Sequence, residues 1–432
     1  MVGSPTAEER RVVLDLERTE SPTSIHETGL DPGFLADLTL KTLYFGGNIS
    51  GSELVERMSL SLNVVSEVLD FLRKQRLVET TGGVGLSAAT LQYALSNAGQ
   101  ERASAALALS GYVGPAPVPL EAYFEQVRRQ SVLNVDISRH DIEQSLRDLV
   151  LSDKTLALIG QALSSKKATM IYGASGNGKS TMAEALRDSL SGEILIPYAI
   201  EVMHQVIQVY DHSVHQIVLD SPKRTSGGRI VDPRWITIKR PVVLAAGELA
   251  PSHLELVLDE TYKTYEAPIQ MKANGGILVI DDFGRQNLDA AYLLNRWIVP
   301  LEKGLDNLSL RNGARFQTPF DVIPLFVTNK RPNDLVDEGF LRRIRYKVEI
   351  PSPTPELFFD ILKKECQRNG VRYDQAAAEY LLKTHFDDQG REIRGCQPRD
   401  IVEAIAAAAR YQSNERALTR ETIDDACSNY FV

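Results

Sequence analysis

Short apolar runs alternate with amphipathic stretches through the middle of this chain of 432 residues. The runs have the length of buried strands, and stretches with helical spacing separate them, one beginning near Lys179 and another at 290–299. Strands separated by helices are typical of a parallel sheet with crossover helices. The pattern therefore predicts an α/β core over residues 136–350, with strands at 168–173, 194–200, 276–281 and 323–328.

Residues 351–432 carry no good strand pattern. Helical stretches follow one another there, namely LFFDILKKEC, AAAEYLLKTHF, RDIVEAIAAAARYQ and ETIDDACSNYF. Apolar residues recur in them at the spacing of one helix face. We therefore predict a small helical bundle at the C-terminus.

Helical spacing also marks 35–45, 52–58 and 62–78, which a glycine-rich hairpin and a further strand follow. Helices followed by a hairpin resemble a winged helix-turn-helix module, which we place at 29–105. Residues 1–28 mix charges, prolines and small polar residues, so we expect a flexible lead-in. The prolines of GPAPVP favour an extended path, and we expect a linker over 106–135.

Composition narrows the class of protein. The formal net charge of -9 argues against a dedicated nucleic-acid binder. No apolar run reaches the length of about 18 residues that crosses a bilayer, and MVGSPTAEERRVV is unlike a signal peptide. We expect a cytoplasmic protein without membrane insertion. Cys366, Cys396 and Cys427 are widely spaced, which predicts reduced core thiols rather than a disulfide or zinc framework.

Residues 172–181 read YGASGNGKST, and the stretch from Gly173 to Ser180 fits the pattern GxxxxGK[ST]. An apolar strand precedes it and a helical stretch follows, which is the context that this phosphate-binding motif requires. The alternative is a chance glycine turn. We expect the backbone N–H groups to face phosphate oxygens, Lys179 to reach the β- and γ-phosphates, and Ser180 to bind Mg²⁺. The predicted phosphate-binding residues are Gly173, Ser175, Gly176, Asn177, Gly178, Lys179, Ser180 and Thr181.

A second polar feature follows another apolar strand. In GGILVIDDFGRQ at 275–286, Asp281 and Asp282 come directly after a run of aliphatic residues. Adjacent acids at the carboxyl end of a buried parallel strand are costly unless a cation neutralises them. Two solvated acids in a turn are the alternative interpretation.

From about residue 136 to the end, the chain resembles the AAA+ ATPases, which have an α/β nucleotide-binding core followed by a helical lid. The resemblance implies an α/β fold class, with a parallel-sheet P-loop NTPase core and a helical lid at 351–432. The winged helix-turn-helix module at 29–105 precedes this core. The resemblance also implies that the ligands are ATP and Mg²⁺, that Asp281 holds the metal and that Asp282 activates the attacking water. The family usually has glutamate at the second acid. Because aspartate is shorter, we expect slow but real hydrolysis.

Further residues match the family pattern. Asn329 at the end of LFVTN resembles the polar sensor that touches the γ-phosphate or its water; an asparagine capping a turn is the alternative. Arg342 and Arg343 resemble the arginines that project into a neighbouring subunit's site, with Arg345 less well placed and a solvated basic face as the alternative. Arg399 follows Pro398 at a predicted helix start, where a cation is disfavoured unless it faces an anion. It resembles the lid arginine that senses the γ-phosphate.

An arginine supplied by a neighbour requires an oligomer, and the resemblance implies a hexamer. About 75 residues separate the two sheet strands around this region, a length that is usually functional. Ring ATPases carry pore-lining segments there, for which Tyr262, Lys263 and Tyr265 are candidates; packing of the tyrosines on a helix face is the alternative.

The winged-helix resemblance leaves DNA binding open, through the helix from Asn63 to Arg76. Arg73, Lys74 and Arg76 cluster at one end of it, but Glu67 and Asp70 lie on the same helix and acids outnumber bases over 29–103. We favour a protein-docking or oligomer-positioning module. Three function classes remain: an ATP-driven remodeller of an unknown protein client, a DNA-associated motor or regulator, and a nucleotide-gated assembly scaffold.

Overall fold

The computed structural model describes residues 19–83, 87–219, 230–285, 289–335 and 338–431. Residues 1–18 of the expected lead-in and part of the predicted hairpin, 84–86, lie outside these ranges. The N-terminal unit contains, in chain order, α1 (Pro32–Gly46), β1 (Ile49–Ser50), α2 (Gly51–Met58), α3 (Leu62–Lys74), β2 (Val78–Gly83), β3 (Leu91–Leu95) and α4 (Asn97–Leu109).

Local side-chain chemistry fixes the helix starts of this unit. Asp31 accepts hydrogen bonds from the first N–H groups of α1, Ser50 forms a capping box with Glu53 at α2, and Ser61 caps α3. The strands form an antiparallel sheet in the order β1-β3-β2. Apart from the short strand β1, which the pattern did not predict, the elements follow one another in the predicted order. The winged-helix resemblance itself stays a prediction.

Residues 19–28, which we expected within the flexible lead-in, have defined partners. Ser21 N donates to Ile230 O at 2.9 Å, and Ser61 Oγ donates to Pro22 O at 2.6 Å. Thr28 O accepts from Arg234 Nη1 at 3.0 Å. Arg234 and Asp232 form a buried ion pair with side chains 5% and 2% exposed. This segment therefore joins the N-terminal unit to the residues around 232.

The expected linker also carries packed structure. It contains β4 (Val118–Pro119) and α5 (Leu120–Arg129). Ala116 and Val118 are fully buried, and β4 pairs with a strand near residue 200. The prolines do favour an extended path, but that path lies against the rest of the protein. The domain boundaries at 106 and 135 stay predictions.

The next part of the chain corrects one predicted core strand. Its elements are α6 (Arg139–Ser145), α7 (Asp153–Ser164), β5 (Thr169–Tyr172), α8 (Lys179–Ala185), β6 (Glu193–Pro197), β7 (Ala199–Val202), β8 (Gln205–Gln208), β9 (Trp235–Lys239) and β10 (Val242–Ala245). The stretch 194–200 does not form one strand of the parallel core: it divides into β6 and β7, which enter two other sheets. Pro197 lacks an N–H group, and the chain bends at Tyr198 directly after it. The two edge strands of the core are β10 and Tyr346–Glu349, and the sequence analysis missed both of them.

A mixed sheet fills much of the long region before the acidic strand. With β11 (Val257–Asp259) and β12 (Thr264–Glu266), its order is β11-β12-β8-β7-β4. Its apolar side packs with α5, through buried residues such as Ile200, Ile207 and Tyr123. Among the described residues, the regular secondary structure of this long region therefore consists mainly of short strands.

The remaining core elements are α9 (Ile269–Lys272), β13 (Gly276–Ile280), α10 (Ala290–Arg296), α11 (Ile298–Lys303), β14 (Leu305–Ser309), β15 (Arg315–Pro319), β16 (Val322–Thr328), α12 (Glu338–Leu341) and β17 (Tyr346–Glu349). The central sheet is parallel throughout and has the order β10-β13-β16-β5-β17. All residues of β13 and β16 are buried, as expected for inner parallel strands. The carboxyl ends of these strands meet at one edge, where β5, β13 and β16 deliver the predicted polar residues.

The C-terminal part is helical, as predicted. It contains α13 (Pro355–Asn369), α14 (Gln375–Tyr380), a π-helical turn at Leu381–Phe386, α15 (Gln397–Gln412) and α16 (Arg420–Tyr430). Phe358, Leu362, Phe386 and Ile401 are fully buried at its centre. Across the part of the chain that the structure describes, no helix is both long and apolar enough to cross a membrane.

Candidate nucleotide-binding site

The glycine loop connects β5 to α8, the second strand from one sheet edge to the helix after it. Gly173, Gly176 and Gly178 have φ values of 148°, 85° and 76°, in the region that favours glycine. A Cβ at Gly173 would stand 2.3 Å from Ile350 O, so a side chain there would collide with the backbone after β17. The loop therefore needs glycine for both its curvature and its packing.

Lys179 is held inside the loop. Its side chain is 5% exposed, and Nζ donates to Ala174 O at 2.9 Å and to Asn329 Oδ1 at 2.6 Å. Burial lowers the pKa of Lys179, and the charges of Asp281 and Asp282 oppose that change. The ammonium group thus lies between the loop, the amide at the end of β16 and the acids after β13.

The two acids follow β13 at the same edge. Asp281 N donates to Ala245 O at 2.8 Å, and Asp282 N donates to Asp281 Oδ1 at 2.8 Å. Asp282 has a φ of 50°, a left-handed conformation that aspartate tolerates better than most residues. Asn329 Nδ2 reaches Asp282 Oδ1 at 3.4 Å. The structure therefore brings together the loop, both acids and the predicted sensor amide.

One cavity of about 410 Å³ adjoins all of these groups. Its core wall is formed by Ser175–Thr181, Asp281, Asp282 and Val327–Asn329. Its lid wall is formed by Ile361, Lys364, Glu365, Arg368, Gly395, Cys396 and Arg399, and 148–151 complete it. Such a volume is within the range of small-molecule sites.

The lid touches the loop directly, through residues that the sequence analysis did not select. Cys396 N donates to Gly176 O at 2.7 Å, and Arg394 Nη1 donates to Ser175 O at 2.9 Å. Cys396 is therefore a cavity residue and not the core thiol that we expected, whereas Cys366 and Cys427 are buried free thiols. One signal in the sequence could have identified Cys396 as a site residue: it lies two residues before Pro398, at the predicted helix start.

Arg399 lies on the first turn of α15, with Pro398 at the helix start as predicted. It adjoins the cavity, but its guanidinium group has a protein partner. Nε and Nη2 both donate to Asp400 Oδ1, at 3.2 and 3.1 Å. The anion that faces this cation in the structure is thus Asp400.

Arg342 and Arg343 lie elsewhere. With Arg345, they adjoin a second cavity of about 840 Å³ whose lining includes Ala168 and Val322, residues at the amino ends of the parallel strands. Arg342 pairs with Glu338 and Arg343 with Glu302, both at 3.0 Å. Within one chain, these arginines are not part of the loop site.

The pore candidates occupy a hairpin, so the alternative of helix-face packing is wrong. Tyr262 and Lys263 lie in the turn between β11 and β12, and Tyr262 is 58% exposed. Tyr265 is buried in the mixed sheet, where its hydroxyl accepts from Arg311 N at 3.0 Å. Of the three candidates, Tyr265 is therefore buried, whereas Tyr262 and Lys263 are exposed on the hairpin turn.

The parallel sheet and the glycine loop define an α/β core of the P-loop type with a helical lid. Residues 354–429, within that lid, match the family described as "Domain of unknown function (DUF8689)". No curated protein sequence matches the chain.

Among solved structures, the chain is similar to NtrX from Brucella abortus, with 14% identity, a TM-score of 0.41 and coverage of 64% of this chain and 55% of that one. It is also similar to a RuvB mutant from Thermotoga maritima, with 12% identity, a TM-score of 0.37 and coverage of 68% and 71%. A further structure is the Thermotoga maritima RuvB Holliday junction branch migration motor, at 13% identity, a TM-score of 0.35 and coverage of 68% and 69%. At these scores the similarities carry no argument about activity or assembly. The fold assignment rests on the sheet order and the loop.

Proposed function

We propose that this protein binds and hydrolyses ATP as an oligomeric AAA+ ring that remodels a protein partner, with the N-terminal unit as the adaptor. The observation that carries the proposal is the meeting of Lys179, Asp281, Asp282 and Asn329 at one cavity that the lid closes from the other side. A phosphate chain needs cationic and N–H donors on one side and a metal-binding carboxylate on the other, and this cavity provides both.

The loop would hold the phosphates through its backbone N–H groups. Lys179 now donates to Ala174 O and Asn329 Oδ1, which are neutral acceptors. A phosphate oxygen carries charge and forms a stronger hydrogen bond with an ammonium group than a neutral acceptor does. Bound triphosphate would therefore draw the Lys179 ammonium away from Asn329 and release the amide to orient water.

The residues fit a magnesium ion that arrives with the nucleotide. Among the described residues, no cluster of three or more His, Cys, Asp and Glu side chains could hold a metal alone. Magnesium needs less than this, because one or two protein oxygens together with substrate phosphates suffice. Ser180 and Asp281 are hard oxygen ligands on the same cavity wall. When bound, the ion would neutralise charge on the β- and γ-phosphates.

Asp282 is the candidate that activates the water, and Asn329 is the candidate that orients it. The carboxylate and the amide are already within 3.4 Å. A positioned general base accelerates such a step by about 10²–10⁴-fold. The short aspartate side chain leads us to expect turnover at the slow end of ATPases.

An arginine from a neighbouring subunit would complete the site. Arg342 and Arg343 are at the other end of the sheet from the loop, so they can meet a phosphate only in another copy of the chain. Their fixed charge and planar fork suit the charge that develops on the transferred phosphoryl group. The subunit number of six comes from the family resemblance.

The N-terminal unit suits a protein partner better than a DNA duplex. Ser61 Oγ donates a hydrogen bond to Pro22 O, and Ile25 N donates one to Glu67 Oε2. The segment at 22–25 therefore lies against α3, the helix that would enter a major groove. Glu67 and Asp70 on this helix would repel phosphates. DNA binding remains the alternative, with a steep salt dependence of duplex binding as its signature.

Phosphate release by Asp282→Asn tests the proposal. We expect ATP affinity within about twofold of the unaltered protein and a release rate lower by about 10²-fold, since the base is lost but no phosphate ligand is. Asp334→Asn, an exposed acid outside the cavity, is the matched control. Unchanged release by a variant that binds ATP would refute the role of Asp282.

The same variant identifies the client class. Asp282→Asn should hold ATP and its partner together, so a protein captured with ATP and lost with ADP would support remodelling. Nucleotide-dependent assembly without any partner-stimulated turnover would favour the scaffold alternative instead.

A further inference from the structure

The lid arginine has a partner that the proposed function does not use. Arg399 and Asp400 form a salt bridge at 3.1 Å, with side chains 53% and 28% exposed. Arg399 adjoins the same cavity as Lys179 and Asn329. The cation therefore lies at the cavity, but its hydrogen bonds go to a carboxylate of its own helix.

Asp400 is held from a second side. Its other oxygen, Oδ2, accepts a hydrogen bond from the Tyr430 hydroxyl at 3.1 Å. Tyr430 ends α16, and the next ring, Phe431, packs edge-on against Phe386 at 5.4 Å between centroids. The guanidinium group of Arg391 lies 4.1 Å from the Phe431 ring centroid. The C-terminal residues are thus anchored on the lid core and fix the position of the hydroxyl.

We propose that Asp400, held by Tyr430, competes with the terminal phosphate of a bound nucleotide for Arg399, and so sets how strongly the site prefers ATP to ADP. Asp400 is a positioning residue in this scheme and does not touch the nucleotide. The proposal rests on the proposed function, because it assumes that a nucleotide occupies the loop cavity.

The competition follows from the charges. A guanidinium group binds carboxylate and phosphate through the same donors, so Arg399 Nε and Nη2 cannot serve both anions fully. ADP has no third phosphate and would leave the pair intact, whereas ATP would have to break it. When Arg399 leaves, Asp400 keeps the hydrogen bond from Tyr430, which lowers the cost of the exchange. Tyr430 and Asp400 therefore have opposite effects on the ATP preference.

The first test is equilibrium binding of ATP and ADP to Asp400→Asn, with Mg²⁺ present. Removal of the competing charge should raise the affinity for ATP by about two- to fivefold, the range expected for a partly exposed pair, and leave the ADP affinity unchanged. Glu421→Gln is the matched control, because it removes an exposed acid from the neighbouring lid helix α16. It should change neither affinity.

Tyr430→Phe gives a change of opposite sign. Without the hydroxyl, Asp400 would lose its second hydrogen bond, and separating it from Arg399 would cost more free energy. The affinity for ATP should therefore fall by about twofold, while the affinity for ADP stays unchanged. If either substitution acted only by disturbing the structure, it would change the affinities for ATP and ADP by the same factor. Circular dichroism spectra of the variants that match the spectrum of the unaltered protein would show that the variants are folded.

A double-variant cycle completes the design. On an Arg399→Ala background, Asp400→Asn should no longer change the ratio of ATP to ADP affinity, because the competition needs the guanidinium group. If the unaltered protein binds neither nucleotide, the proposed function fails. If it binds both and Asp400→Asn leaves the ratio unchanged, or if the ratio still changes without Arg399, the competition is refuted while nucleotide binding stands.

Discussion

The two ends of the parallel sheet differ in what they bring together. At the carboxyl ends, β5, β13 and β16 deliver a glycine loop, two acids and an amide to one cavity that the lid also lines. At the amino ends, a larger cavity of about 840 Å³ is lined by several cations, including Lys167, Arg342 and Arg343. One end holds the candidate metal-binding and phosphate-binding groups, and the other end holds excess positive charge.

This difference supports the proposal that each chain contributes one part of a site at its carboxyl end and another part at its amino end. Among the described residues, no arginine lines the core wall of the loop cavity, and the arginines at the amino end have acidic partners but no phosphate-binding loop. If copies of the chain pack with one end facing the other, each interface can complete a site. The predictions below separate the two ends, from the largest expected effect to the smallest.

The largest effect concerns the amino end. Substitution of both Arg342 and Arg343 by alanine should lower ATP turnover by about 10³-fold, as expected for loss of an arginine that stabilises phosphoryl transfer, while ATP affinity stays within a few-fold. Phosphate release and nucleotide binding measure the two quantities. Lys167→Ala, in the same cavity, is the control for general loss of charge.

Mixing sharpens this prediction. Asp282→Asn subunits retain the arginines, and Arg342→Ala/Arg343→Ala subunits retain Asp282. A mixture of the two should recover part of the turnover that each lacks alone. Absence of any recovery in mixed oligomers would mean that the two ends do not meet across an interface.

The next effect concerns the carboxyl end. Lys179→Ala should weaken ATP binding by about 10²-fold, because a buried charged donor to the phosphates is lost. Lys167→Ala should leave ATP binding unchanged, since this lysine lies at the opposite end of β5. Equal losses of ATP affinity in the two variants would contradict the proposed difference between the two ends of the sheet.

A smaller effect is expected at the sensor position. Asn329→Ala should lower turnover by about tenfold and leave ATP affinity nearly unchanged, because the amide orients water rather than holding phosphate. Asn307→Ala on the exposed face of β14 is a suitable control. A strong loss of ATP binding in Asn329→Ala would instead make the amide a phosphate ligand.

The carboxyl end was the more predictable part of the molecule. Local sequence is enough to place Gly173–Thr181, Asp281 and Asn329 in the fold, because each of them directly follows an apolar run with the pattern of a buried strand. The parallel sheet then brings them to one edge without further information. The helical lid was equally visible from its spacing, and the structure has helices at each predicted stretch.

Other features depend on contacts between distant residues. The short strand β10 carries no motif that would identify it. The apolar pattern of 194–200 predicts a single core strand, but the bend at Tyr198 divides this stretch into β6 and β7. The contact of Cys396 with Gly176 depends on how the lid packs against the core. The hydrogen bond between Ser21 and Ile230 joins residues that are 209 positions apart in the sequence. No local pattern signals such pairings.

The most direct test of the account is the affinity of the full chain for ATP, measured with and without Mg²⁺, for the unaltered protein and for Asp281→Asn. The account predicts binding that Mg²⁺ strengthens, and loss of this strengthening in Asp281→Asn. No measurable affinity for ATP with Mg²⁺ present, or a Mg²⁺ effect that survives in Asp281→Asn, would contradict it.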